Sequence, residues 1–460
     1  MNNIKLTPRR AAWEVLNKFD AKQQNASSLI DEISRKTDNR AALVDIALGA
    51  IRNLMFIDKL IVKCSGRAIK NIQPKILNCL RIAAYELIFT QQAQYAIVNE
   101  AVELTKQAIS KKSAGFTNAI LRKIISSIVN KNAEISQSDS KKTLPISEKI
   151  GCEFNIDIFA DENKEQAEYL NGVFSLPKWF CAELIAQYGY SQAKNICFAS
   201  NRRPSVYARP NILKTSAEEL VDILKSQEVD CELVAQSTMI KLNKVGNIAQ
   251  LESFKAGLFT IQDLTASYVA RALNPQKGWS VFDICAAPGT KTTHIAELMG
   301  DKGVIVATDK DEARLKKINE NVQRLGITSV KIFSYEKFLQ QADRNIVADA
   351  ILLDVPCSNT GVLAKRPEVR YRLDKKQITQ ITKTQIELLH LASSLINKGG
   401  KICYSTCSIL KDENSELVQS FLCENKGFVL EKENLTLPNV GKCAGDFDCD
   451  GGYCAIIGKK

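Results

Sequence analysis

From residue 279 to residue 425, short apolar runs alternate with longer segments of helical spacing. The runs 279–284, 303–309, 350–354 and 400–405 have the length and the β-branched, apolar character of strands buried on both faces. The segments 291–299, 312–325, 376–396 and 412–425 read as helices. Alternation of this kind implies a mainly parallel sheet with helices on both faces, an α/β fold. Open sheets of that class hold their ligands outside the carboxyl ends of the strands. Residues at those ends are therefore the first candidates for function.

The strand ends carry chemistry. Asp283-Ile284-Cys285-Ala286-Ala287-Pro288-Gly289-Thr290-Lys291 follows the first strand and opens a helix, and its Pro288-Gly289 bend lets backbone approach a ligand closely. Asp309 closes the second strand, where a carboxylate commonly accepts both hydroxyls of a ribose. The turn is neither GxGxxG nor a Walker loop, which disfavours a nicotinamide or a nucleoside triphosphate. The third strand delivers Asp354-Val355-Pro356-Cys357-Ser358 and the fourth Tyr404-Ser405-Thr406-Cys407-Ser408. Two thiols and a carboxylate meeting at one sheet edge suit covalent chemistry on an electrophile.

The rest of the chain frames that site. At 460 residues it exceeds one ordinary core, so two or three domains are expected. Helical spacing in Ala41–Ile51, Ile76–Leu87 and Ala101–Ala108 marks residues 1–130 as all-α. Polar residues dominate 131–165, a linker composition. Residues 166–260 read as a small α+β connector, and 261–460 as the α/β domain. The net charge is +11, and residues 1–130 hold 20 Lys and Arg against 10 Asp and Glu. A basic piece on a near-neutral body suggests a phosphate-rich partner; a solvated basic surface is the other reading. Arg202, Arg203 and Arg209 beside Tyr207, and Lys365, Arg366, Arg370 and Arg372 around Tyr371, are further candidates to grip RNA, with a solvated edge strand as the alternative for the first and a solvated loop for the second.

The 14 cysteines form no CxxC pair and only His294 and His390 could assist them, so neither a metal site nor a disulfide framework is expected. No apolar stretch of membrane-spanning length occurs and the N-terminus is not of secretory type, so a cytoplasmic protein without a membrane partner is expected.

The run from Asp283 to His294 resembles the S-adenosylmethionine motif of the RNA cytosine-C5 methyltransferases. Asp354 to Gly361 and Thr406-Cys407-Ser408 resemble that family's two cysteine motifs. The N-terminal helices, with Asn99-Glu100-Ala101-Val102 and Asn118-Ala119-Ile120-Leu121-Arg122, are similar to the NusB-like RNA-binding domain of its bacterial 16S rRNA branch, the Sun or Fmu type. Gln262-Asp263-Leu264 adds to the match, which runs from about residue 6 to the C-terminus.

The resemblance implies a Rossmann-like domain that binds S-adenosyl-L-methionine. Cys285, Ala286, Ala287, Pro288, Gly289, Thr290 and Lys291 would cradle the cofactor, Asp309 would hold its ribose, and Asp354 would close the pocket beside the methyl group. The family's glycine is replaced by Thr290, which is acceptable if its backbone stays at negative φ. The family's adenine-facing aspartate is absent. Tyr335 lies near its position, flanked by Ser334 and Glu336.

C5 of cytosine is a poor nucleophile until a thiolate adds to C6, and a second group must later take the C5 proton. Residue logic leaves open which cysteine attacks, because related DNA enzymes use a Pro-Cys thiol, here Cys357. The resemblance assigns attack to Cys407, proton removal and product release to Cys357, and orientation of the cytosine to Asp354 and Lys291. The expected reaction is C5 methylation of a cytosine in 16S rRNA, by the branch at position 967 of that RNA, catalysed by a monomer. Another rRNA or tRNA cytosine, and a non-catalytic RNA-binding assembly factor, stay open as alternatives.

Overall fold

The computed structural model describes residues 5–23, 25–244, 246–342, 347–441 and 446–460. Two compact units emerge, one of residues 1–201 with 363–373, the other of 202–362 with 374–460. Among the described residues no helix is long and apolar enough to cross a membrane.

The first unit opens with seven helices: α1 (Pro8–Lys18), α2 (Ala26–Ser34), α3 (Arg40–Arg52), α4 (Leu54–Ser65), α5 (Pro74–Phe89), α6 (Gln94–Ala108) and α7 (Lys111–Ser127). Their apolar stripes meet around α5, which buries Ile76, Leu80, Ala83, Leu87 and Ile88. Side-chain oxygens of Thr7, Asn39 and Ser110 cap α1, α3 and α7.

The expected polar linker at 131–165 is corrected. Strands β1 (Ile128–Glu134), β2 (Thr143–Pro145) and β3 (Ile150–Phe154) form an antiparallel sheet in the order β1-β3-β2. Few side chains of this stretch are buried, Ala133, Leu144, Cys152 and Phe154 among them. A sheet wet on one face keeps a polar composition, which is why the stretch reads as linker. Helices α8 (Gln166–Phe174), α9 (Lys178–Tyr188) and α10 (Tyr190–Ser200) complete the unit. The expected connector at 166–260 is thereby divided, these three helices falling in the first unit and everything from residue 202 onward in the second.

Residues 363–373 also belong to the first unit. Arg370 is 1% exposed. Its guanidinium donates to the carbonyls of Arg52 at 2.7 Å, Phe174 at 3.0 Å and Ser200 at 2.9 Å, which are the last residues of α3, α8 and α10. One cation thus serves three helix C-termini, where carbonyls lack intrahelical partners and carry the negative end of the dipole. The Tyr371 hydroxyl donates to Ile51 O at 2.5 Å. The expected RNA-gripping role of this segment is corrected for both residues: Arg370 and Tyr371 are internal.

The second unit holds two sheets. In the smaller one, β4 (Val206–Pro210), β5 (Asp230–Leu233), β6 (Ile240–Lys244) and β7 (Phe259–Ile261) pair antiparallel in the order β5-β6-β4-β7. Helix α11 (Ala217–Ser226), begun by a Ser216–Glu219 capping box, packs its Leu220 and Leu224 on this sheet, and the short α12 (Glu252–Lys255) follows. Here too the expected RNA contacts are corrected. Arg202 pairs with Asp448 at 2.8 Å and Asp450 at 2.7 Å, and Arg209 with Glu297 at 2.8 Å. The buried Tyr207 donates to Asp448 O at 2.6 Å.

Next in the chain come α13 (Leu264–Leu273), β8 (Ser280–Asp283), α14 (Thr290–Leu298), β9 (Val304–Asp309), α15 (Glu312–Leu325), β10 (Val330–Ser334), α16 (Tyr335–Ala342) and β11 (Ala348–Asp354). They are followed by α17 (Lys375–Leu395), β12 (Ile396–Thr406), α18 (Ser415–Glu424), β13 (Phe428–Thr436) and β14 (Gly452–Lys459). The large sheet runs β10-β9-β8-β11-β12-β14-β13. The first five strands are parallel, and β14 joins antiparallel to both β12 and β13. The two C-terminal strands extend the parallel arrangement expected from the alternation. Chain order reverses between β8 and β11, so the switch point, where such sheets bind ligands, lies between Asp283 and Asp354.

Candidate active site

The turn after β8 is held from both neighbouring elements. Ala286 N donates to Thr308 O at 2.9 Å, and Ala287 N to the Asp309 carboxylate at 3.1 Å. Arg314 donates to Ala287 O, and Asn321 to Pro288 O at 3.0 Å. Gly289 takes φ +94°, a backbone conformation that calls for glycine, and a Cβ there would crowd the Ile318 side chain at 3.1 Å. Thr290 starts α14 and is absent from the residues of positive φ, which meets the condition set by its branched side chain.

Asp309 is 6% exposed. Its second oxygen accepts from Asp311 N at 3.0 Å. Ser334 lies beside it in the parallel ladder. Tyr335 packs with Phe338 and lies under Lys310, whose ammonium is 5.3 Å from the ring centre. Tyr335 and Cys285 are half-buried neighbours on the same core cluster and offer an apolar wall.

Asp283, Asp309 and Asp354 all act on Cys285: burial first, then these three charges, push its thiol up. Burial lifts the Asp283 carboxyl to about 7. One of its oxygens accepts from Thr292 at 2.6 Å, while the other is buried without a partner. A buried acceptor left unpaired costs about 1–3 kcal/mol and favours a donor or cation nearby.

Lys291 projects from α14 to Asp354, Nζ to Oδ2 at 2.7 Å. The other Asp354 oxygen accepts from Ser405 at 3.0 Å. Burial alone would lower the Lys291 ammonium, but Asp354, and then Cys407, hold it above its ordinary value. Lys291, Asp354, Thr406 and Cys407 line an open cavity together with Asp263, Thr265 and Tyr268 from the start of α13, and with Asn434 and Gly452.

The parallel register of β11 and β12 sets Asp354 beside Ser405, and so brings the two cysteine turns together. Cys357 Sγ and Cys407 Sγ are 3.0 Å apart. Both are free thiols and half-buried. The Cys407 thiol also donates to Asn359 Oδ1 at 3.2 Å. Cys357 is raised well above an ordinary thiol, first by its hydrogen bond with Cys407, then by burial, the Cys407 charge and Glu413. Two thiols this close cannot both ionise easily.

Beneath the cysteines lies a polar cluster that sequence reasoning missed. Glu413 is fully buried. Its carboxylate accepts from Ser358 N at 2.8 Å, the Ser358 hydroxyl, Ser408 Oγ at 2.6 Å and Gln385 Nε2 at 3.2 Å. The available signal was the repeated Cys-Ser pair, two hydroxyls at equivalent strand ends that could share one acceptor.

Comparison with known proteins follows the same outline. A model of the family "16S rRNA methyltransferase RsmB/F" matches residues 270–445, the NusB family model residues 6–126, and the ferredoxin-like domain model of RsmF/B-like methyltransferases residues 176–249. A probable ribosomal RNA small subunit methyltransferase B of Synechocystis is 30% identical over 441 residues, 94% of this chain and 93% of that protein. The probable counterpart in Bacillus subtilis is 28% identical, over 92% of this chain and 90% of its own. The crystal structure of PH0851 superposes with a TM-score of 0.72 at 24% identity over 99% of both chains. A methyltransferase homologue from Pyrococcus horikoshii matches 62% of this chain and 95% of its own, with a TM-score of 0.53 and 28% identity.

The residues present suit S-adenosylmethionine. Asp283, Asp354 and Asp309 surround the Cys285 turn, and Lys291 is the cation set against two of them, a balance that favours a cationic sulfonium and ammonium over a polyphosphate. Asp309 would take the ribose hydroxyls, Tyr335 and Cys285 the flat adenine, and the 286–290 turn the remaining length.

Proposed function

Because the chain belongs to the RsmB/F family of 16S rRNA methyltransferases, we propose that it methylates C5 of a cytosine in 16S rRNA, position 967 by its family branch, through a covalent bond between Cys407 and C6. S-adenosylmethionine is its cofactor and, when bound, supplies the electrophilic methyl group that C5 takes up. The observation that carries the reading is the pair of thiols 3.0 Å apart, with Cys407 lining the same cavity as Lys291 and Asp354.

The protein's part runs in order. Cys407, as thiolate, adds to C6, and the pair of the C5–C6 double bond moves to C5. Asp354 would accept from the N4 amino group of the base, and Lys291 beside it would offset the negative charge that the addition places on the ring. Lys291 and Ser405 hold both oxygens of Asp354, so its direction is set before the base arrives. Formation of the S–C6 bond removes the charge on Cys407 that had restrained Cys357. Cys357 can then pass its own proton to solvent water and, as thiolate, take the one on C5. The pair left behind restores the double bond and expels Cys407 as thiolate.

Transfer of a labelled methyl group to protein-free 16S rRNA tests the reading. Label at C5 of one cytosine is expected; label on a tRNA alone, or none with cofactor bound, would sink it. Cys357→Ala should stop the sequence after methyl transfer, leaving RNA and protein joined in an adduct that survives a denaturing gel. A variant that turns over without accumulating such an adduct would remove Cys357 from the release step.

A further inference from the structure

Among the described residues, Glu413 is the charged group whose hydrogen bonds reach both cysteine turns. It ends the 3-10 turn Lys411–Glu413, just before α18. One carboxylate oxygen accepts from the hydroxyls of Ser358 and Ser408, each the residue after a cysteine. The other accepts from Ser358 N and Gln385. Gln385 also donates to Pro356 O at 2.9 Å, so the Pro356-Cys357-Ser358 turn is gripped from two directions. The backbone joins in, because the Tyr404 hydroxyl donates to Glu413 O at 2.7 Å. Thr360 and Ser408 share a hydrogen bond of 2.9 Å, and Gly361 N donates to Cys407 O at 2.9 Å.

Four donors stand in for water around a carboxylate that lacks a cationic partner among its described hydrogen bonds. A buried charge so placed must act on the nearest titratable group. The charged and titratable groups around the thiol pair are Lys291 from α14, Asp354 from β11, Tyr404 from β12 and Glu413. Lys291 shares the cavity with Cys407. Glu413 holds the turn that carries Cys357. Glu413 takes two hydrogen bonds from Ser358 and one from Ser408, so it grips the Cys357 turn more fully than the Cys407 turn.

We propose that Glu413 is the positioning residue that gives the two cysteines their different parts: it clamps the two turns together and holds Cys357 back, leaving Cys407 as the attacking sulfur. This rests on the function proposed above, but its test does not need RNA or cofactor. Because Cys357 is restrained by Cys407 foremost and by Glu413 in addition, loss of the Glu413 charge should ease Cys357 without abolishing the contact between the sulfurs.

The test is alkylation of the full chain by iodoacetamide across a pH series, with the two sites counted separately by peptide mass spectrometry. In the wild type, Cys407 should react at least about tenfold faster than Cys357 at neutral pH, the equivalent of one pKa unit. Glu413→Gln should shrink that preference by about tenfold and move the acid limb of the Cys357 profile down by about one unit. Glu413→Asp, which keeps the charge, should stay within about twofold of wild type. Equal reactivity of the two thiols in the wild type overturns the proposal whether or not the variants fold. An unchanged preference in a folded Glu413→Gln protein also overturns it, as does an aspartate variant that behaves like glutamine. Methyl transfer measured alongside keeps the two questions apart: a wild type with no transfer defeats the functional reading and leaves the alkylation result standing.

Discussion

Cys407→Ala should lose methyl transfer by a factor on the order of 10⁴ to 10⁶, the scale seen when a covalent nucleophile is removed. No second group can take over. Cys357 lies 3.0 Å away, but its surroundings hold its thiol well above the ordinary value. The other cysteines of the sheet, Cys403 and Cys454, are buried against each other at 3.6 Å. Alanine removes only a sulfur from a half-buried turn whose backbone is already tied by Gly361, so the fold should persist and RNA should still bind. The measurement is single-turnover transfer of labelled methyl, with RNA affinity and a thermal melt as companions. Retained turnover would hand the attack to Cys357 and reverse both assignments.

Arg370→Met should lower the melting temperature by about 10 °C. The side chain is buried and its guanidinium meets the ends of three helices. Methionine fills similar volume but donates nothing, so three helix-terminal carbonyls lose a buried partner at about 1–3 kcal/mol each. Release of the guanidinium from its own burial penalty offsets part of this, since burial already lowers the Arg370 pKa. A net loss of about 3 kcal/mol, at roughly 2–4 °C per kcal/mol for a unit of this size, gives the expected shift. Arg370→Lys should fall between, because one ammonium cannot reach three carbonyls in the guanidinium's fork. A methionine variant that melts within about 2 °C of wild type would show that the helix ends are satisfied by other means.

These two residues mark the range of what the sequence makes readable. Cys407, Cys357, Asp354 and Lys291 converge as expected because each stands at a strand tip or a first helical turn. Parallel pairing then brings such tips to one edge whatever lies between them in the chain. Thr290 is tolerated because Gly289 absorbs the positive φ. Tyr335 lies beside the Asp309 strand end because it directly follows β10, whose Ser334 pairs with Asp309. Glu413 was hidden because one glutamate among Lys411, Asp412 and Asn414 has the composition of any solvated turn. Arg370 was hidden for the opposite reason. Four basic residues near a tyrosine look like a surface that grips phosphate, and burial of one of them depends on helix ends far away in sequence. The β1–β3 sheet shows the third kind of gap, since short strands with a wet face carry little apolar signal.

The chain order of the helical unit has a consequence for synthesis on the ribosome. Residues 1–201 are translated first, yet the cation that closes α3, α8 and α10 comes at position 370. At common elongation rates the nascent helices wait roughly ten to thirty seconds for it. During that interval the N-terminal unit is a nearly finished body with three open helix ends. The segment that completes it arrives only after Cys357 has been made, so the two units cannot mature strictly one after the other.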